Sequence, residues 1–313
     1  MLTSAQTIQS VIIAVLWAMF LAAQTTPVSA GGKKELQAPS VFDINRRKKA
    51  KNQITDWLSS SLYASARYLG ERNIKRDDDT DDRTHEFIAY LGIVARADLG
   101  KGIVGFLNAE ISRKEKRSNV RSFGRIMEPQ IKEALLSFSL GETSQLSAGR
   151  LRLSDVNKWV TDASVDGVHF VKKKNNTAPE LSVVSGTRDI TADYLIAHVS
   201  TVKGQKRFGG FAIVERDGSE DSYHLSAYLL NKVSDRFSYQ LNAGVVMGDA
   251  ANGRSSGVGF DARAIQKLSA GALRPQITYG FAIGSTGFRQ SGLHSNKTYD
   301  GGQTQFHRYG YVY

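Results

Sequence analysis

The sequence predicts an all-β protein, a transmembrane antiparallel β-barrel of about thirteen strands, and three observations carry the prediction. Polarity alternates with period two along much of the chain, the alternating segments mostly run nine to thirteen residues, and polar turns separate them. In a strand, residues two apart share a face, so each segment is apolar on one side and polar on the other. Ordinary globular strands reach about five or six residues. A strand tilted across a bilayer needs about 9–11. Length and period together favour a membrane barrel over a sandwich.

The first element is a secretory signal. "VIIAVLWAMFLAA" (Val11–Ala23) is an apolar core, and Val28 and Ala30 fit the small-residue cleavage pattern, which puts cleavage near Ala30. No Lys or Arg precedes the core, a departure from the usual pattern, and the core is too short for the ~20 residues of a membrane-spanning helix. Residues 31–53, with "NRRKKAK", read as a mobile basic lead-in, and residues 54–313 as the barrel domain.

Thirteen segments follow, beginning near 54, 85, 101, 129, 144, 165, 179, 191, 206, 221, 236, 256 and 270. In "EFIAYLGIVARAD", Phe87, Ala89, Leu91, Ile93 and Ala95 oppose Glu86 and Arg96. In "GIVGFLNAEISRK", Ile103, Leu107, Ala109 and Ile111 oppose Asn108, Glu110 and Ser112. "KEALLSFSL" sets Ala134, Leu136, Phe138 and Leu140 against Glu133, Ser137 and Ser139. The seventh segment, Pro179–Gly186, carries the weakest pattern. "RDGSED" after Val214 supplies an Asp-Gly hairpin turn. The clearest segment is "RFSYQLNAGVVMG", where Phe237, Tyr239, Leu241, Ala243, Val245 and Met247 share one face.

"AGRLRLSD" (148–155) is the most charged strand. Arg150 and Arg152 alternate with Leu151 and Leu153, so a barrel wall would turn the leucines to lipid and the arginines to the lumen. The reverse would cost about 2–4 kcal/mol per arginine near the midplane. The net charge of +11 points the same way, toward anionic partners. With no cysteine in the chain, disulfides, thiolate metal sites and a cysteine nucleophile are excluded.

Two longer blocks carry a resemblance. "AGRLRLSDVNKWVTDASVDGVHF" (148–170) resembles the strand-and-turn signature of the alginate export porins of Gram-negative outer membranes. "FRQSGLHSNKTYDGGQTQFHRYG" (288–310) is similar to that family's glutamine-rich loop. The resemblance implies a monomeric eighteen-stranded barrel with an arginine-rich constriction that passes an anionic polysaccharide outward. It places Arg150 and Arg152 in that constriction, Asp155 in the turn after the strand, and Glu133 at an acidic lumen position of the preceding strand. Together with Arg96 these make the pore-lining set. The chain ends just past the second block, so the resemblance also implies a barrel lacking its C-terminal strands, with residues 284–313 as an irregular loop or cover.

The remaining chemistry is thinner. The six histidines show no H-E-x-x-H spacing, and "GRSSG" (253–257) lacks the strand-turn-helix context of a nucleophile elbow, so neither a metal nor another cofactor is expected. "HVS" places His198 and Ser200 on one strand face, as in outer-membrane lipid hydrolases, and this is the alternative, enzymatic reading. No third polar group is expected to orient the imidazole. "DDDTDD" (77–82) reads as a solvated acidic loop. "SRKEKR" (112–117) and "VKKK" (171–174) are basic clusters near strand ends, suited to lipopolysaccharide phosphates, to a polyanion at the pore mouth, or merely to solubility. No nucleic-acid module is recognisable. The expected function is passive passage of an alginate-like polysaccharide or other anions, without catalysis; a general anion porin remains open beside it.

Overall fold

Strict alternation leaves little choice of architecture, because a strand with two unlike faces must pair laterally and bury one of them. In the computed structural model the chain forms a meander of consecutive antiparallel strands. The structure describes residues 40, 42, 52–72, 83–118, 126–155, 160–187, 192–218, 220–250, 253–268, 275–285, 287, 288, 291, 293, 305, 306, 310 and 311.

The strands are β1 (Asn52–Gln53), β2 (Leu58–Arg72), β3 (Arg83–Gly100), β4 (Ile103–Ser118), β5 (Ile126–Leu140), β6 (Ser144–Ser154), β7 (Asp162–Lys172), β8 (Thr177–Gly186), β9 (Asp193–Lys203), β10 (Lys206–Asp217), β11 (Glu220–Lys232), β12 (Phe237–Ala250), β13 (Gly253–Lys267) and β14 (Gln276–Gly284). They form one sheet in chain order. Two further strands, β15 (Gln305–Phe306) and β16 (Gly310–Tyr311), pair only with each other.

The thirteen expected segments match β2–β14, with ends shifted by several residues. The two-residue β1 escaped the periodicity, as did the β15–β16 pair, because two residues carry no period. The segment with the weakest pattern became a full ten-residue strand, β8. Its Pro179 side chain lies on the face opposite Glu180 and Ser182, and the alternation continues through it.

The chain divides into two compact units. The first contains Ile44–Ser139 and Ser147–Leu151; the second contains Met1–Asp43, Leu140–Leu146 and Arg152–Tyr313. In the first unit the apolar face is the exposed one: Leu62 is 75% exposed, and Leu91, Ile131 and Leu136 are also open. The covered face instead holds Glu110, Ser112, Glu133 and Ser137. A bulge in β5 reinforces this, because Asn108 pairs with Glu133 and Ala109 with Ile131, leaving Lys132 as an extra residue. Lys132 and Glu133 thus both reach the covered face.

In the second unit the covered face is mixed, with Phe211, Ile196, Ile213, Val165 and Val171 buried beside polar groups. Leu181, Val183, Leu195, Val258 and Phe281 are exposed, while His169, Glu180, Ser182, His198, Ser200, His224 and Asp261 are buried. Part of the C-terminal segment packs on this covered face. The Phe288 ring lies over Gly259, where a Cβ would sit 2.4 Å from it. Ser291 donates to the Val160 carbonyl and the Asp162 amide donates to the Leu293 carbonyl. Most of the expected loop or cover over residues 284–313 lies outside the described residues.

One expectation requires correction. Leu151 and Leu153 are fully buried, and Arg150 and Arg152 occupy the opposite face of β6. The strand is phased at both ends: the Ser147 hydroxyl meets Ser137 on the covered face at 3.0 Å, and Asp155 is buried on that same face. Alternation then sends the odd-numbered leucines inward. The arginines are satisfied where they lie, Arg152 by Asp162 at 3.0 Å and Arg150 by donation to the Ile131 carbonyl at 3.3 Å. Most of the lead-in lies outside the described residues; of those described, Phe42 is buried with its ring edge-on to His169 at 5.5 Å. The signal segment and the acidic 77–82 run lie outside the described residues.

Candidate functional site

A covered face that is polar needs partners for every charge it holds, since an unpaired buried group costs several times more than a surface one. In the first unit Glu110 is the hub. Lys132 Nζ approaches its Oε1 at 2.7 Å and lies 5.8 Å over the Tyr90 ring. The Tyr63 hydroxyl stands 3.1 Å from Glu110 Oε2 and 3.2 Å from Asn108 Oδ1, so its single proton chooses between two acceptors. Asn108 Nδ2 donates to Glu133 Oε2 at 3.3 Å. Glu133, expected to face inward, does so and is only 3% exposed. Arg96 stands on the same side of β3 as the buried Val94 and Ile88, as the alternation required.

The second unit holds a longer network. Glu180 on β8 places Oε1 3.1 Å from His198 Nδ1 and Oε2 3.6 Å from His169 Nε2. With Glu180 ionised, His198 Nδ1–H donates to it, and neutral Nε2 then accepts from the Tyr228 hydroxyl at 3.1 Å. Tyr228 in turn is hydrogen-bonded by Ser200. Phe211 stacks on the His198 ring with centroids 4.2 Å apart. Tyr228 fits here because β10 carries Gly209 beneath it; a Cβ at that position would lie 2.6 Å from the hydroxyl and 2.4 Å from the Val199 carbonyl. Further along, Glu215 accepts from Ser222 at 3.1 Å and contacts His224 Nε2 at 3.0 Å. Asp261 holds Arg263 and Asn242 at 3.0 and 3.3 Å.

The His198/Ser200 pair therefore differs from expectation in two ways. A third polar group does orient the imidazole, namely Glu180. Yet the atom at His198 Nε2 is the Tyr228 oxygen, and both His198 and Ser200 are sealed from solvent, at 2% and 0% exposure. Asp155 plays a structural part, because its Oδ2 accepts the Val160 and Thr161 amides at 2.6 and 2.7 Å and so closes the turn after β6. Arg150 and Arg152 do not join the covered-face network. Among the described residues, no cluster of three or more His, Asp or Glu is disposed to hold a metal ion.

Sequence reading missed Glu180, His169, Tyr228, Glu215 and Lys132. Glu180 and Tyr228 sit on the polar phase of their strands, and that phase was the available signal; His169 shares its face with the buried Val165 and Val171, and Glu215 with the buried Phe211 and Ile213, so alternation did not mark them. Lys132 carried none, because a bulge breaks the count of two.

No family model matches the chain, and no curated protein matches it. Solved structures do. OmpT, an outer membrane protein of Vibrio cholerae, is similar at 11% identity over 75% of this chain and 90% of that one, with a TM-score of 0.40. OpdQ of Pseudomonas aeruginosa is similar at 11% identity over 74% and 66%, with a TM-score of 0.48. A mutant of the Rh. blastica porin is similar at 12% identity over 72% and 99%, with a TM-score of 0.37. At these identities the likeness concerns strand architecture alone.

Proposed function

We propose that this chain is an outer-membrane channel protein of the porin kind, exported through its N-terminal signal, and that it passes an anionic polysaccharide of the alginate type or smaller anions. One observation carries the reading: apart from β6, many strands expose large apolar side chains while ionisable ones lie buried on the covered face, a pattern unlike that of a soluble sheet. Such an exposed apolar face is stable only against lipid. Strands of 9 to 18 residues are long enough to cross a bilayer.

The mechanism is passive. Arg96, Lys132 and Arg207 on the covered faces replace water and counterions around a passing carboxylate, and Glu110, Glu133 and Glu180 keep the solute from binding too tightly to leave. Phe288 and Leu293 narrow the covered face of the second unit. Arg152 sits two residues from the end of β6, so its pair with Asp162 belongs at headgroup depth, where charge costs about 0–1 kcal/mol.

Planar-bilayer recording tests the proposal. The chain should conduct with anion preference, and R96S combined with R207S should move the reversal potential in a salt gradient toward zero. An unchanged reversal potential removes those residues from the pathway. The hydrolase reading is favoured by the 3.1 Å contact between Glu180 and His198 and opposed by Tyr228 at Nε2. Lipid hydrolysis that disappears in S200A would establish it.

A further inference from the structure

Charge in the second unit is sorted along the strand axis. At one end, the loops joining β7 to β8, β9 to β10, β11 to β12 and β13 to β14 are bordered by Lys172, Lys173, Lys174, Lys203, Lys206, Lys232, Arg236 and Lys267. Seven of these eight are exposed and Lys173 is half-exposed. Among the described residues the carboxylates at that end are Glu142 and Asp235, a net of six positive charges, and Asp235 is held by Lys232 at 2.5 Å. At the opposite strand ends the described charged side chains are Asp155, Asp193, Glu215, Asp217, Glu220 and Asp221 against Arg216, with Arg152 and Asp162 cancelling each other.

The basic rim is also greasy. Val233 and Leu268 in its turns are 58% and 50% exposed, and Leu140 and Phe237 beside them are open too. Successive turns are two strands apart, so exposed cations recur about every 10 Å along the sheet. A soluble polyanion asks only for the charges. A membrane surface rewards both, because apolar tips enter the interface while lysines reach phosphate.

From this we infer that the basic rim of the second unit is a docking surface for anionic phospholipid headgroups, and that it selects them over zwitterionic ones in the adjoining leaflet. The inference rests on the membrane-channel reading and adds to it a lipid class, a face and a set of residues.

The test uses the full chain reconstituted in phosphatidylcholine vesicles with 30 mol% phosphatidylglycerol, and compares spin-labelled phosphatidylglycerol with spin-labelled phosphatidylcholine at the protein surface. The unmodified chain should favour the anionic label several-fold at low salt and lose that preference in high salt. K172Q/K174Q/K203Q/K206Q/K267Q should bring the ratio to about one, and the same five positions as arginine should keep it high. These are exposed positions, so folding is not at stake. Equal ratios for the unmodified chain and the glutamine variant overturn the inference while leaving the channel reading intact. Failure to enter vesicles of any composition overturns both. Binding of a soluble polyuronate that the glutamine variant abolishes, without any lipid preference, assigns the rim to a polymer and overturns the lipid assignment.

Discussion

Replacing Glu180 with alanine is the sharpest perturbation of the buried network. The carboxylate lies between two histidines, its own exposure is 5%, and His169 and His198 are at 0% and 2%. Two costs follow. One charge-assisted hydrogen bond to His198 Nδ1 is lost, worth about 1.5–3 kcal/mol. The imidazole N–H it served is left buried without its acceptor, which adds about 1–3 kcal/mol. Against this, removing a buried charge recovers desolvation energy, and an ionised carboxylate in such a place is costly to begin with. The net expectation for E180A is a loss of about 2–4 kcal/mol. E180Q, which keeps an acceptor oxygen, should lose less, about 1–2 kcal/mol.

The tautomer argument adds a coupling. Glu180 fixes the proton on Nδ1 and so makes Nε2 an acceptor for Tyr228; without Glu180 the ring can retautomerise. Y228F should therefore cost less in the E180A background than in the unmodified chain, with a coupling of about 0.5–2 kcal/mol. Urea unfolding in lipid vesicles, followed by tryptophan fluorescence, measures all four corners of the cycle. Additive single effects, or an E180A cost below that of E180Q, would refute the assigned hydrogen-bond chain.

Other consequences are simpler. G209A brings a Cβ to 2.4 Å from the Val199 carbonyl and 2.6 Å from the Tyr228 hydroxyl, so it should destabilise by about 1–3 kcal/mol, and Y228F should relieve part of that in the double variant. Asp235, fully exposed, is held below the usual carboxylate range chiefly by its hydrogen bond to Lys232 and then by that lysine's charge. A depressed folded-state value means its stabilisation is present above the ordinary carboxylate pKa and fades as pH falls through the folded one. K232Q should accordingly raise the Asp235 titration midpoint toward the ordinary value, read from its carboxyl carbon shift. At neutral pH, screening should leave overall stability nearly unchanged.

The strand ladder was legible because a sheet with two unlike faces imposes a binary rule, an alternation of period two, and thirteen segments carried it. What the rule does not carry is absolute phase. Residues 148–155 alternate cleanly under either assignment, and the expected facing of Arg150 and Arg152 came from the cost of charge in hydrocarbon. The structure resolves the phase through Ser147 and Asp155, two inconspicuous residues whose contacts, Ser137 and the Val160 amide, lie on other segments. Glu133 and Arg96 were placed correctly because each sits in a segment with several large apolar residues fixing the opposite face. The His198 network was half legible. The pair on β9 showed in sequence, but Glu180 and Tyr228 are brought to it by registers across β8 and β11, which no local pattern encodes.

The β5 bulge has one more consequence. In the channel wall proposed above, where alternate positions would belong to lipid, the inner surface could seat only one side chain for every two residues of strand. Inserting Lys132 between Ile131 and Glu133 evades that limit, since the pairing with β4 runs on from Ala109 to Asn108 as though the lysine were absent. Its deletion would leave every neighbouring residue on its present side. The wall, in other words, does not need Lys132. The extra residue adds a countercharge for Glu110 without giving up a lipid-facing position, and local charge density rises above what a regular strand permits. A channel lining can in this way be retuned by adding or dropping a single amino acid, with the scaffold blind to the change.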